Sequence, residues 1–430
     1  MGWLIYIRPT NSFFKRLDFA TFEKHMMEYL MSFLSERVAS VKPSPTLAID
    51  QKAKELKAAG FDVVNLAAGE PDFLTPSFIC DAAIAAIQSG KHKYTAVDGI
   101  PELKAAIINK FKTDNGLSYA ADQIIVSAGA KMVLYSALMA TINPGDEVVI
   151  PSPYWVSYPD MVSLAGGTPV FIPCHDAKNF KFTPEQLRKA LNSKTKWLIL
   201  NSPNNPCGLV YTKAELEAFG AVLRDFPQVH VMTDDIYEYL VYGAEKFHTI
   251  AQVCPDLYER TLTVNGASKA YAMTGWRLGY GAGPAPLIKA MKTIQSQSTS
   301  NPCSITQYAA LAALTNPRPY MDDWRKQYTQ RRDAFVGQVN QIQGLSCETP
   351  AGAFYIFIRV EGLLGLTTPA GRKLSDDMDI ASFMLDDCQV AVTPGSVFGM
   401  SPYVRVSYAT SLEEINKACH KLSAGIAKLT

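Results

Sequence analysis

The sequence predicts an α/β protein: a large domain with a mostly parallel central sheet covered by helices, followed by a smaller α+β domain. Three observations carry that expectation. Between residues 123 and 264, short apolar runs alternate with amphipathic stretches of helical length, the pattern of βα repeats packed on both faces. Glycine and proline punctuate most of the junctions, as at Gly60, Pro101, Gly129 and Pro184. After Pro284 the pattern turns mostly helical, and short strands return only towards the C-terminus.

Taken in order, residues 1–30 differ from the rest. Trp3 to Ile7 is a short apolar burst, followed by an amphipathic stretch to Leu30. As a secretory signal it fails, because the apolar core is short and no small-residue cleavage site follows; Asp18, Glu23 and Glu28 count against organelle targeting. We expect an extension, with Met31 the natural beginning. A helix opens at Thr46 and stops at Gly60, and a short strand covers 61–66. The segment 67–76, AAGEPDFLTP, is a loop because Gly69, Pro71 and Pro76 prevent regular structure. Helices are expected over 77–89 and from Pro101. Strands follow at 123–127, 147–150, 169–172, 197–201, 230–233 and 261–264, with helices over 131–140, 156–165, 184–191 and 213–226 between them. Helices over 287–297, 304–314 and 319–343 come next. Strands at 353–358, 390–392 and 403–407, with helices over 379–387 and 412–428, close the chain. The domain boundaries expected are 1–30, 31–76 (packing with the small domain), 77–318 (large domain) and 319–430 (small domain).

Composition excludes several function classes. Lys plus Arg number 41 against 40 Asp plus Glu, so the net charge of +1 offers no basic surface for nucleic acid. The eight cysteines are scattered singly, which argues against zinc, haem attachment or a disulfide framework and fits a reducing cytoplasm. No apolar run approaches the roughly 20 residues of a membrane helix.

Open parallel sheets bind ligands where strand carboxyl ends meet the following loops, so the strand-end residues are the candidates. Ser127-Ala128-Gly129-Ala130-Lys131 is a small-residue turn opening a helix, suited to a phosphate, although such turns also serve packing. Pro151-Ser152-Pro153-Tyr154-Trp155 places an aromatic face at the sheet edge, held by two prolines and a potential cis Ser152–Pro153 bond; Trp155 is equally compatible with a core position. In NSPNNPCG, Asn205 can donate an amide hydrogen bond to a ligand oxygen. Asp234 ends an apolar strand, as a helix cap or as the partner of a buried cation, and Tyr237 follows on a similar face. In VNGASKAYAMTGWRLGY, Lys269 sits in a turn of small residues; a desolvated lysine becomes a nucleophile able to form a Schiff base with an aldehyde. Arg277 supplies a fixed positive charge. Arg405, inside the apolar run YVRVSY, needs a partner and suits a carboxylate. The run Gly279-x-Gly281-x-Gly283 is no dinucleotide fingerprint, since the spacing is wrong, and is assigned to packing.

An anion pocket, a carboxylate for a pyridinium nitrogen, donors for a phenolic oxygen, a stacking ring and an aldehyde-binding lysine together describe a pyridoxal 5'-phosphate site. SKAYAMTGWRLGY with NSPNNPCG resembles the class I aminotransferases of fold type I, and most closely the bacterial aspartate aminotransferases of the subgroup that includes aspartate/prephenate aminotransferases. The resemblance runs from about Met31 to the C-terminus. It implies that Lys269 binds the cofactor and transfers the proton, that Asp234 pairs with the ring nitrogen, and that Tyr237 and Asn205 bind the ring oxygen. It further implies that Trp155 stacks on the ring and that Gly129, Ala130, Lys131 and Arg277 surround the phosphate. Tyr94 would reach that phosphate from the neighbouring subunit of a homodimer. Arg405 would clamp the substrate α-carboxylate, with Asn205 and Trp155 also at the substrate and Gly69 touching it through its backbone. Two departures stand out: Ala130 where many relatives have glycine, and Gly266 where distant relatives have a serine on the phosphate.

For the distal carboxylate of a dicarboxylic substrate the candidates are Lys131, Ser44, Thr46, Ser296 and Thr299. Lys42 resembles a lysine of relatives active on prephenate. The expected reaction is amino transfer from aspartate to 2-oxoglutarate, with prephenate to arogenate as a second activity. The rivals are a C–S lyase on the same cofactor, an aminotransferase of other specificity, and a ligand-sensing regulator, which would need a DNA-binding module that the first thirty residues are too short to supply.

Overall fold

The computed structural model describes residues 33–39, 41, 45–174 and 178–430. Lys42, Ser44 and the 1–30 extension lie outside the described residues, as does the side chain of Thr46. The chain falls into two units, Met1–Lys42 and Pro43–Thr430. The described part of the first holds one helical turn, Glu36–Ala39; everything below concerns the second.

Its centre is a seven-stranded sheet of β2 (Ile124–Ser127), β3 (Glu147–Pro151), β4 (Thr168–Ile172), β5 (Thr195–Asn201), β6 (His230–Asp234), β7 (Thr261–Gly266) and β8 (Gly279–Ala282), in the order β2-β8-β7-β6-β5-β3-β4. All pairings are parallel except the two made by β8. β2, β6 and β7 are buried almost throughout, as expected for a sheet covered on both faces. The covering helices include α2 (Ser77–Gln88), α3 (Pro101–Asn115), α4 (Ala130–Thr141), α5 (Ser157–Leu164), α6 (Pro184–Ala190), α7 (Lys213–Arg224), α8 (Ala285–Ser296) and α9 (Ser304–Thr315), preceded by α1 (Pro45–Ala58). Their ends follow local chemistry. Pro101 occupies the first turn of α3, and Gly116 at φ 66° closes it. Thr183 and Thr212 cap α6 and α7 in reciprocal boxes with Gln186 and Glu215.

β8 is the element that the sequence pattern concealed. The run given to packing does pack, as an antiparallel strand. A Cβ at Gly279 would lie 2.1 Å from the Ala130 amide, and one at Gly281 would lie 2.6 Å from Val133. Glycine there lets α4 close directly onto the strand, and the lack of side chains erases the apolar alternation by which strands are recognised.

Beyond α10 (Tyr320–Val339), three antiparallel strands run in the order β11-β12-β9, with β9 Tyr355–Arg359, β11 Thr393–Pro394 and β12 Tyr403–Ser407. A separate parallel pair joins β1 (Val64–Asn65) to β10 (Val390–Ala391), so the expected 61–66 strand shrinks to its two paired residues. α11 (Asp377–Asp386) and α12 (Leu412–Ile426) complete the chain. The Leu66 carbonyl accepts from Ser407 N at 2.8 Å, which places the start of the 67–76 loop beside β12.

That loop is strapped down along its length. Thr274 Oγ1 donates to Glu70 Oε2 at 2.8 Å, and Arg331 donates to Asp72 Oδ1 at 2.8 Å. Phe73 stacks on Trp324 at 4.5 Å, and Thr75 Oγ1 donates to the Ala272 carbonyl at 2.7 Å. It therefore links α10 to the segment that follows β7.

Candidate active site

The parallel strands end at one edge, and their last residues are neighbours by register: Asn201 on β5 pairs with Asp234 on β6, and Asp234 with Val264 on β7. A cavity of about 430 Å³ opens there. Its lining gathers Gly69, Ala130, Lys131, Trp155, Asn205, Asp234, Tyr237, Lys269, Arg277 and Arg405. In sequence they are drawn from Gly69 to Arg405, which is most of the chain.

At the start of α4, Gly129 has φ 91°, a backbone that L side chains rarely adopt, and a Cβ there would fall 2.3 Å from Arg277 Nη2. Glycine thus lets the guanidinium lie against the helix N-terminus. Arg277, itself at φ 53°, is oriented by donating to the Thr274 carbonyl at 2.7 Å. Ala130 begins the helix and is not among the residues of positive φ, so its methyl is accommodated without backbone strain. Lys131 Nζ sits 4.7 Å from the Trp155 ring centroid; burial and the Arg277 charge lower its pKa. The Ser152–Pro153 bond is cis.

Asp234 is buried. Its Oδ2 accepts from the Tyr158 hydroxyl at 2.7 Å, while Oδ1 has no hydrogen-bond partner among the described residues. Burial raises its carboxyl to about 6, against the Tyr158 hydrogen bond, the Ile236 amide and the Lys269 charge, which pull the other way. Asn201 serves two neighbours at once: Nδ2 donates to the Asp234 carbonyl at 2.7 Å, and Oδ1 accepts from the Asn205 amide at 2.9 Å. Tyr237 and Tyr355 share a hydrogen bond at 2.8 Å between their hydroxyls.

Lys269 follows β7 by three residues and donates to the Gly69 carbonyl at 2.6 Å. Desolvation lowers its amine to about 8; Glu70 and Asp234 oppose the shift, and Arg405 and Arg277 add to it. An amine in that range is neutral often enough near physiological pH to act as nucleophile and base.

Arg405 departs from expectation in an informative way. It is buried in β12, yet among the described residues no carboxylate pairs with it. Nη1 donates to Asn205 Oδ1 at 3.0 Å, Nη2 donates to the Ala67 carbonyl at 2.7 Å, and Nε is unpartnered. The Tyr355 and Phe398 rings lie 4.7 and 4.9 Å from the guanidinium. Neutral acceptors and aromatic faces hold the cation without discharging it, so it remains available to an anionic ligand.

Some candidates are elsewhere. Tyr94 is 92% exposed and does not line the cavity of its own chain. Ser296 ends α8 with its hydroxyl on the Thr293 carbonyl, and neither it nor Thr299 lines the cavity. Conversely Tyr158, Asn201, Tyr355, Asp50, Glu70 and Ser268 line it without having been singled out for it. Ser268 and Asn201 were within reach of a strand-end reading, since each lies at or just beyond a strand end. Tyr158 and Tyr355 arrive only through tertiary packing.

The aminotransferase class I and II family model matches residues 62–422. The aspartate/prephenate aminotransferase of Cereibacter sphaeroides is 55% identical over 93% of this chain and 100% of its own length. A probable aspartate/prephenate aminotransferase of Rickettsia felis is 50% identical over 93% and 98%. The crystal structure of the Rhizobium meliloti aspartate aminotransferase superposes with a TM-score of 0.89 at 47% identity, covering 92% of this chain and 99% of that one. The Thermus thermophilus aspartate aminotransferase with maleate gives 0.85 at 43%, covering 91% and 99%. With this match along nearly the whole chain, and with its sheet and strand-end cavity, the protein belongs to the class I and II aminotransferase family.

Proposed function

We propose that the protein moves the amino group of L-aspartate to 2-oxoglutarate with pyridoxal 5'-phosphate as cofactor, and that prephenate is a second amino acceptor. One observation carries the reading. A buried guanidinium with no carboxylate partner among the described residues, a half-buried amine lowered to about 8 and a buried carboxylate whose second oxygen has no described partner face the same cavity. The residues fit the cofactor: the unpartnered Oδ1 of Asp234 is an acceptor for a ring N–H, and the α4 N-terminus with Arg277 suits a phosphate. When bound, pyridoxal phosphate supplies an electron sink that makes the substrate Cα proton acidic.

The chain's own residues supply the rest. Arg405 binds the α-carboxylate through its forked donors, and Asn205, whose Oδ1 is already engaged by Arg405, presents its Nδ2 as a donor. Asp234 holds a negative charge in the interior. Lys269 removes the proton from Cα and returns a proton later in the half-reaction, a task suited to an amine lowered to about 8. Trp155 and Tyr237 line the space a flat ring requires. One substrate leaves as an oxo acid before the next enters, so ping-pong kinetics are expected.

Lys131, in the cavity beside Trp155, is the cation we assign to a distal carboxylate. That the Thermus thermophilus relative was solved with maleate, a dicarboxylate, supports a dicarboxylic substrate. The names of the Cereibacter sphaeroides and Rickettsia felis relatives support prephenate, and Lys42 keeps its proposed place in that choice. We also infer a small domain over 319–430, a homodimer in which the exposed Tyr94 reaches the neighbouring site, and a cytoplasmic location, for which the eight free cysteines speak. No helix among the described residues is long and apolar enough to cross a membrane.

The test is product formation from aspartate and 2-oxoglutarate, compared with turnover of prephenate. Absence of oxaloacetate rejects the main reading, and pyruvate release from cystathionine-like substrates would favour a C–S lyase instead.

A further inference from the structure

The two oxygens of Asp234 are in different situations. Oδ2 is engaged by Tyr158 at 2.7 Å, and Oδ1 accepts no hydrogen bond from the described residues. The backbone of Asp234 is fixed separately, through the Asn201 amide on its carbonyl at 2.7 Å. The remaining freedom is rotation of the carboxylate, which the Tyr158 hydroxyl restrains at Oδ2 with the Ile236 amide beside it. Tyr158 is itself held: it lies in α5, its amide donates to the Trp155 carbonyl at 3.0 Å, and its ring meets the Trp155 ring edge-on at 5.3 Å. One short segment therefore carries both the indole that lines the cavity and the phenol that sets the carboxylate.

We propose, resting on the cofactor reading above, that Tyr158 is a positioning residue: its hydroxyl occupies Oδ2, keeps the carboxylate ionised and leaves Oδ1 as the acceptor for the cofactor's ring nitrogen. Protonation of that nitrogen is then governed by the Tyr158–Asp234 pair rather than by Asp234 alone. A hydroxyl donating to a carboxylate is among the stronger hydrogen bonds, and a buried setting strengthens it further. The phenol cannot ionise in competition, since burial and the Asp234 charge raise its pKa well above the ordinary value. The other groups bearing on Asp234 are the Ile236 amide, Lys269 from the turn after β7 and Tyr237 of its own loop, while Tyr237 and Asp235 bear on Tyr158. Of these, Tyr158 gives the largest stabilisation of the charged form.

The experiment uses the full chain stripped of cofactor and titrated with pyridoxal 5'-phosphate, with the bound chromophore's absorption as readout, from below to above the pH near 6 at which Asp234 changes charge. Tyr158→Phe keeps the ring and its contact with Trp155. It is expected to weaken binding about tenfold at neutral pH and to move the acid-side loss of affinity to higher pH. In the D234N background the same change should add nothing, because the bond it removes serves only the carboxylate. Equal affinity and an equal pH profile in wild type and Y158F overturn the proposal, as does an undiminished loss in the D234N background. Should Y158F fail to fold, Tyr158→3-fluorotyrosine, a stronger donor, must move the acid limb to lower pH, and an unmoved limb overturns it equally. A wild-type chain that binds no pyridoxal phosphate rejects the functional reading itself, and the proposal with it.

Discussion

Lys110 and Lys269 are both lysines drawn into the interior, and the fold treats them in opposite ways. Lys110, on α3, is ion-paired with Glu238 and donates to Asn115 Oδ1 at 2.7 Å. The carboxylate is completed by Asn265 Nδ2 at 2.8 Å and Asn115 Nδ2 at 2.9 Å. Every charge in that cluster is answered by a neighbour. Among the described residues Lys269 meets a single carbonyl, that of Gly69, and the Tyr237 and Phe354 rings, each 5.7 Å away. The closed network braces β7 through Asn265, and the open site sits four residues further along the same chain. Burial with complete pairing supports the fold; burial with pairing withheld stores reactivity.

The sharpest way to break that contrast is to remove each lysine in turn. Lys269→Ala is expected to lower turnover by more than about 10⁴-fold, since both the cofactor-binding amine and the proton carrier are lost. The fold should keep its stability, because the side chain removed was a poorly compensated cation. Lys110→Ala should do the reverse, costing about 3–5 kcal/mol by leaving Glu238 buried and unpaired while kcat per folded molecule is kept. Thermal melts and assays at matched folded concentration separate the two outcomes. An inactive but fully folded K110A protein would end the distinction.

Arg405 extends the comparison to the other wall of the cavity. Removing a partner of a buried charge pair costs about 2–5 kcal/mol, so Arg405→Leu should lower kcat/KM for aspartate by a factor on the order of 10² to 10³. Cofactor affinity should be untouched, because the residue is reserved for the substrate. Arg405→Lys keeps the charge and loses the fork, and is expected to recover only part of the loss. A drop in pyridoxal phosphate binding equal to the drop in kcat/KM would place the arginine on the cofactor instead.

Much of this architecture was legible in the sequence because periodicity and strand-end chemistry are local. The parallel strands and most covering helices announce themselves by apolar runs and by caps such as Thr212 with Glu215. Lys269, Asp234 and Arg405 stand out as charges in apolar surroundings. β8 was not legible, since its glycines are selected by the approach of α4 and leave no pattern along the chain. Tyr158 and Tyr355 look like ordinary core aromatics, and only the meeting of α5 with β6, and of β9 with the loop after β6, gives their hydroxyls partners. The same applies to Arg405: the need for a partner was evident, whereas its satisfaction by a carbonyl, an amide oxygen and two rings depends on the folded chain.

The mildest test changes no residue. In the cofactor-free chain Lys269 is lowered to about 8, whereas an ordinary lysine titrates at 10.5. Between those values the folded chain has released a proton that the unfolded chain still holds, so this residue's contribution makes stability rise with pH across that window. Asp234 works in the other sense: raised from 3.8 to about 6, it keeps its proton when folded and loses it when unfolded, so stability falls as pH climbs through that lower window. The chemical consequence is easier to read. An amine-selective reagent at limiting concentration should modify Lys269 ahead of the surface lysines, with a rate that rises through pH 8 and levels off above it, while Lys110 stays unmodified behind its ion pair. Peptide mass analysis follows both sites in one sample, and added pyridoxal phosphate should protect only Lys269. Equal labelling of Lys110 and Lys269 would show that pairing does not separate them.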